Sequence, residues 1–242
     1  MRWKREHFEH QETAVTILCV PQYVPYCGEA IMSARGVIEQ TIQHDPTFRT
    51  TLMPYMCSEG AHNIIKSMCM EASKVGVGPM ATVAGCLALE GLKAVIEAGA
   101  DEAVVDNGGD IAISIDQPLL VGIFAGHFSG CDLAFEVLPR EEPMGICTSS
   151  ATVGHSLSLG RADAAVVVSS NVVLADAAAT ALGNRIKSEE DLKECFEFLE
   201  QIPEIEGAMV LFKRKISMWG KLPRIVRSRI RPDLITKNNN KR

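Results

Sequence analysis

Several architectures are removed by what this 242-residue chain lacks. There is no low-complexity tract, no heptad run and no repeat of fixed period, so fibrous, coiled-coil and solenoid designs drop out. A long apolar run near the start is also missing. Residues 1–12 are charged, and residues 14–20 are too short to cross a bilayer and are not laid out as a signal peptide. The expectation is a cytoplasmic protein without a membrane span. Eight cysteines stand at positions 19, 27, 57, 69, 86, 131, 147 and 195, with no C-x-x-C pair and no Cys/His spacing of the zinc type. In a chain of this size without a secretory signal they are expected as free, mostly buried thiols instead of a disulfide framework. A Walker A loop and a nucleophile elbow are absent as well, so neither P-loop chemistry nor a Ser-His-Asp triad has motif support.

What the chain does have is core-forming material. Hydrophobic residues make up 47% and charged residues 22%, enough for one large domain or two small ones. The 19 glycines and 11 prolines are spread along the whole length. The formal net charge of −6 is unevenly placed: residues 213–242 carry eleven Lys or Arg against the single acid Asp233. We read one domain over residues 1–212, followed by a basic C-terminal tail over 213–242. Such a tail can serve as a handle for RNA, an anionic lipid surface or an acidic neighbour, or it can be a solvated end or a segment docked on the chain's own acidic stretch 189–206. It has no aromatic interleaving of the kind that stacks bases, which argues against a nucleic-acid partner.

Periodicity gives a mixed order of elements. Residues 13–20 read as a strand, and residues 28–43 carry apolar residues at helical spacing up to Asp45-Pro46. A second helical stretch covers about 61–73. The Gly-Val-Gly-Pro at 76–79 breaks it, and a small-residue-rich helix follows over 79–98 with proline at its start and Gly99 at its end. Its Ala81, Ala84, Gly85 and Ala88 permit close approach to a sheet or a ligand. Residues 102–106, Asn107-Gly108-Gly109 and the alternating Ile111, Ile113 and Ile115 form a β-hairpin pattern. Strands are expected at 119–124, 132–138, 144–148, 162–170 and 207–212, with helices at 174–187 and, acidic and amphipathic, at 191–199. Hairpins mixed with helices argue against a doubly wound sheet. The fold class expected is α+β, with mixed or antiparallel sheets and helices packed on them.

Three polar islands interrupt this background. In the first, Asp106-Asn107-Gly108-Gly109-Asp110, the glycines let a ligand approach the backbone and Asp110 could accept hydrogen bonds from it; the same residues also spell an ordinary hairpin turn. The second runs from Thr148, Ser149 and Ser150 to His155. It offers hydroxyls and unhindered amides to phosphate oxygens and a histidine able to act as acid or base near neutral pH, or it is a capped polar loop with a surface histidine. Cys147, close to His155 in sequence, admits a Cys/His nucleophile, although nothing marks it as an activated thiolate. The third contains Asp176 and Thr180, four apart and so on one helix face. Two hard oxygens there suit magnesium or calcium; the alternative is a dipole-favoured aspartate and a threonine bonded back to its own helix.

Taken in this order, the islands resemble the ApbE family of flavin transferases, which move FMN from FAD onto a threonine of a target protein and need a divalent metal. Ala84-Gly85, Gly108-Gly109-Asp110, Thr148-Ser149 with His155, and Ala175-Asp176-Ala177 with Thr180-Ala181 match the family's motifs over residues 76–183, the last being the most specific. The resemblance implies that Asp176 and Thr180 hold magnesium, and that Gly108, Gly109, Asp110, Thr148, Ser149 and Ser150 lie at an FAD site with His155 as the catalytic group. Departures accompany the match. Ala84 stands where the family usually has lysine, and His155-Ser156-Leu157-Ser158-Leu159 replaces a His-x-x-Asp-Pro stretch. The stretch between the Thr-Ser loop and the Asp176 helix is short, and a lipoprotein-type export signal is absent, as in a cytoplasmic archaeal branch of the group. Two kinds of function follow. One is a magnesium-dependent FMN transferase or FAD pyrophosphatase acting on a flavin or nucleotide and a protein substrate. The other is a non-catalytic flavin- or nucleotide-binding module, or an interaction protein whose crevice has become a homo-oligomer surface.

Overall fold

In the structure, a computed structural model, residues 3–11, 13–124, 133–151, 159–228 and 235–236 are described. The chain opens with the hairpin β1 (Lys4–His10) and β2 (Thr13–Cys19), then three helices, α1 (Val24–His44), α2 (Thr47–Thr50) and α3 (Asn63–Lys74). A 3-10 turn, Pro79–Thr82, leads into α4 (Val83–Glu97). Strands β3 (Ala103–Asn107), β4 (Asp110–Ser114), β5 (Leu119–Gly122), β6 (Leu133–Val137), β7 (Met144–Ser149) and β8 (Ala164–Ser169) follow. After α5 (Val172–Arg185) and two 3-10 turns come β9 (Ile205–Phe212), β10 (Lys215–Gly220) and β11 (Arg224–Arg227).

Eight strands form one sheet in the order β1-β2-β3-β4-β7-β8-β9-β10, and β11-β6-β5 form a second sheet. Among the described residues every pairing is antiparallel. Side chains alternate across the large sheet with period two, and the two faces serve different cores. On β8, Ala165 and Val167 pack against the helices, while Ala164, Val166 and Val168 join Ile113, Phe135 and Met209 under the small sheet. The result is three layers of helices, large sheet and small sheet. This is the α+β fold with antiparallel sheets that the order of elements suggests.

The helices are set by how much of each must be buried. On α1 the buried residues Cys27, Ile31, Ala34 and Ile38 recur every three or four positions, a single stripe against the core. α5 is apolar nearly all round and is buried on all sides, from Val172 to Gly183 with Thr180 as the partly exposed member. The stretch Pro79–Glu97 is long and apolar enough to cross a membrane by composition, but half of its apolar window is buried here as a core helix.

The structure departs from the sequence reading in three places. The acidic helix expected over 191–199 is instead two 3-10 turns, Glu190–Lys193 and Glu197–Leu199. These bury the same Leu192, Cys195, Phe196 and Leu199, while like charges at Glu190, Glu194 and Glu197, spaced three or four apart, oppose a continuous helix. Lys4–His10 is an edge strand whose exposed, charged residues left no apolar alternation to find. The boundary placed before residue 213 falls inside the β9–β10 hairpin, so the first part of the basic tail is sheet. Its Lys215 pairs with Glu189 at 2.6 Å and Trp219 stacks on Phe196, which is docking on the chain's own acidic stretch. Farther on, β11 pairs with β6.

Phe135 is fully buried between the two sheets. Phe135→Ala is expected to lower the free energy of unfolding by about 3–5 kcal/mol, read from urea denaturation.

Candidate functional site

The site is built around the N-terminus of α4. The first turn of any helix leaves backbone N–H groups without intrahelical partners. The residue that would cap α4 does not do so: Thr82 gives its hydroxyl to the Pro79 carbonyl at 2.7 Å. The acceptor comes from another helix. Gly85 N–H donates to Asp176 Oδ2 of α5 at 2.8 Å, and the neighbouring Ala84 amide also favours the charged form of that carboxylate. This approach depends on the absence of a side chain at Gly85, where a Cβ would sit 2.8 Å from Asp176 Cβ and 2.9 Å from the Val172 carbonyl oxygen.

The second carboxylate arrives on the sheet. Asn107 and Asp110 close a two-residue hairpin turn, with Gly108 and Gly109 at φ +68° and +105°, a conformation that favours glycine at both places. Asp110 shares the helix-facing side with Cys147, its partner across β4 and β7, and there it meets the charge of Asp176. Asn107 lies on the same face and donates from Nδ2 to the Ala84 carbonyl at 3.1 Å, which ties the turn to the start of α4.

The electrostatics follow from burial without compensation. Asp176 is pushed up to about 7, first by burial, against the lowering effect of the Gly85 and Ala84 amides. Asp110 is raised well above the carboxylate range by burial and then by Asp176. Among the described residues neither acid has an ion-pair partner. Cys147 donates its thiol to the Val172 carbonyl at 3.6 Å and is held well above the usual thiol range by burial and by the two nearby acids, which disfavours a thiolate there.

The other sequence-nominated residues are only partly brought together. Thr148 and Ser149 are the last residues of β7, beside the turn: Thr148 N–H donates to the Gly109 carbonyl at 3.1 Å, and Ser149 Oγ lies 3.3 Å from where a Cβ on Gly183 would be. The expected cradle of free amides starting at Thr148 is therefore corrected. β7 runs one residue farther than the pattern suggested, and the ladder consumes the Thr148 amide. Ser150 is turned away, its hydroxyl donating to the Asp163 carbonyl at 2.6 Å. The hydroxyls of Thr148, Ser149 and Thr180 make no hydrogen bond among the described residues, so Thr180 is not bonded back to its helix. His155 lies outside the described residues. Sequence reasoning missed the amide cap on Asp176 and the roles of Asn107 and Asn184. Asn184 continues the Asp176–Thr180 face, and its Oδ1 accepts from Leu159 N–H at 2.8 Å. Its spacing, four residues after Thr180, was the available signal. Among the described residues no three His, Cys, Asp or Glu side chains cluster as metal ligands, so what the site offers is two carboxylates, hydroxyls and carbonyls.

The α+β architecture of antiparallel sheets and packed helices defines the class of fold, and comparison with known proteins agrees. The protein is similar in fold to the flavinyl transferase ApbE of Pseudomonas stutzeri in its apo form (TM-score 0.55, 10% identity, 90% of this chain and 95% of that one). It is also similar to the flavin transferase ApbE of Vibrio cholerae (TM-score 0.53, 10% identity, 90% and 97%). A family model described as AbpE bacteria matches residues 1–195, and the chain belongs to this ApbE-like family. Among curated relatives it is 45% identical over 236 residues to a UPF0280 protein of Methanocella arvoryzae, covering 98% of this chain and 96% of that one. It is 44% identical over 239 residues to a UPF0280 protein of Archaeoglobus fulgidus, covering 97% and 99%.

The raised Asp176 sets a sign for pH dependence. A carboxyl whose folded value lies above its unfolded one contributes stability at low pH, and this is lost as pH rises through the folded value, here about 7. In metal-free protein, raising the pH from about 5 to about 8 is expected to lower the melting temperature of the wild type relative to Asp176→Asn, measured by calorimetry on both.

Proposed function

We propose that the site formed by the β3–β4 turn, the end of β7 and the α4–α5 crossing binds a flavin nucleotide, FAD, together with a magnesium ion, and cleaves the diphosphate to pass FMN to a hydroxyl of a protein substrate. The observation that carries this reading is the pair Asp110 and Asp176, the first half-buried and the second buried, without a cationic partner among the described residues. Elsewhere the buried Glu71 does meet a cation, Lys74 Nζ at 2.8 Å. Leaving two acids unpaired is costly unless something positive arrives.

The residues present fit a hard divalent cation. Asp176 and Thr180 supply a carboxylate and an uncommitted hydroxyl, and Asp110 a second carboxylate; oxygen donors few in number suit magnesium, which keeps several waters. Bound there, the ion would neutralise charge on the diphosphate. The protein supplies the rest. The Gly108–Gly109 turn carries no side chains to obstruct the nucleotide, and the Thr148 and Ser149 hydroxyls are free to donate to phosphate oxygens. His155 takes the proton of the attacking hydroxyl in this reading, a role assigned from the sequence alone. The nearly dry floor made by Cys147 and α5 strengthens each of these interactions.

A second reading has one observation in its favour. Ala84 stands where the flavin transferases usually carry lysine, and a crevice lacking that cation can hold a flavin or nucleotide without cleaving it, or serve as a contact surface between copies of the chain.

Incubating the purified protein with FAD and magnesium, followed by chromatography, separates the two. Release of AMP and FMN that is lost by at least about a hundredfold in Asp176→Ala, with an unaltered circular dichroism spectrum, is the expected result. Retention of intact FAD with a thermal shift would point to the binding module, and full turnover in Asp176→Ala would overturn the proposed role of that carboxylate.

A further inference from the structure

The C-terminal part of the chain has no role in the flavin reading, yet it returns to the back of the site. Thr236 is buried, and its hydroxyl donates to Asp106 Oδ2 at 2.5 Å across 130 positions of sequence. The Thr16 hydroxyl is 2.8 Å from that of Thr236 and is approached in turn by His7 Nδ1 at 3.1 Å and an Arg5 guanidinium nitrogen at 3.3 Å. Asp106 lies opposite Thr16 on β2 and Ile111 on β4, so this network crosses the first strands of the large sheet on the face away from the helices. The other oxygen of Asp106 accepts from the Gly109 amide at 2.8 Å.

Two successive residues thus grip one turn from opposite faces of the sheet. Asn107 ties the turn forward to the start of α4, and Asp106 ties Gly109 backward. Gly108 and Gly109 cannot hold the geometry themselves, because glycine has the most backbone freedom to lose. We propose that Thr236 is a positioning residue for the candidate site: acting through Asp106, it latches the Gly108–Gly109 turn and so fixes Asp110 opposite Asp176. The latch is a statement about the free protein; only its effect on ligand affinity rests on the flavin reading.

The physical argument is one of satisfied lone pairs. Asp106 is half-buried and its Oδ2 faces the buried Thr236, where an acceptor left without a donor is expensive. Gly109 N–H serves one oxygen and Thr236 O–H the other. Without the hydroxyl, the carboxyl gains by protonating or by turning toward water, and either change loosens the bond to Gly109.

Thr236→Val keeps the shape and removes the donor, and Thr236→Ser keeps the donor. Amide hydrogen exchange on the full chain, without ligand, is the test. The Gly109 amide is expected to exchange about tenfold faster in Thr236→Val, with α1 unchanged and Thr236→Ser close to wild type. Unaltered exchange at Gly109 in Thr236→Val would overturn the latch, and equal loosening in Thr236→Ser would overturn it by reducing the effect to packing. The thermal shift caused by FAD is then expected to weaken in the Val variant and persist in the Ser variant; a loosened turn with an undiminished shift would overturn the positioning role. If the wild type shows no response to FAD while the exchange pattern holds, the latch stands and the flavin reading is what fails.

Discussion

A carboxylate from one helix capping the N-terminus of another is the contact on which the rest of this structure depends. The open amides of α4 carry the positive end of the helix dipole. Thr82, the residue placed to satisfy them, spends its hydroxyl on Pro79 instead. Asp176 takes over that duty from α5. It can do so because Gly85 lets the two helices come together closely, and because α5 is otherwise apolar enough to be sunk between the sheet and α4. The same helix start receives Asn107 from the β3–β4 turn. One crossing therefore orients α4, α5 and the turn, and the candidate site lies where these three meet.

The arrangement also sets a tension between folding and chemistry. Amides at a helix start lower the charge cost of one carboxylate, but two acids share this corner. Lys74 bridges Glu71 and Glu204 at 2.8 and 2.7 Å, so the buried Glu71 is met by a cation. No such cation meets Asp110 and Asp176 among the described residues, and both are driven toward their protonated forms. Paired acids held this way are a local conflict with stability, and such conflicts are characteristic of functional sites.

Residues with periodic burial were legible in the sequence, and residues acting through their backbones were not. β8 and α4 announce themselves because their apolar residues face cores on definite sides. β1 and β10 do not: on β1 most residues are charged and several are exposed, and on β10 the apolar Ile216 and Met218 are themselves exposed at the sheet edge. The Gly-Gly-Asp and Asp-x-x-x-Thr spacings nominated the turn and the α5 face, and the structure brings Asp110 and Asp176 within electrostatic reach of each other. The amides of Ala84 and Gly85, which decide what Asp176 is doing, have no side-chain signature at all. Thr148 was nominated for a free amide, and only the strand register reveals that the ladder has taken it. Thr236 lay in a segment that composition describes only as basic, and nothing local signals a partner 130 positions away.

The central claim is that Asp110 and Asp176 form an acidic corner made to receive a divalent cation beside a nucleotide. Manganese, whose anomalous scattering identifies it, can replace magnesium in crystals grown with FAD. The account predicts one strong anomalous peak in coordination distance of an Asp176 oxygen and the Thr180 hydroxyl, with Asp110 turned toward it and the diphosphate on its open side. A peak elsewhere, or none at saturating manganese with the two acids still facing each other, would contradict it.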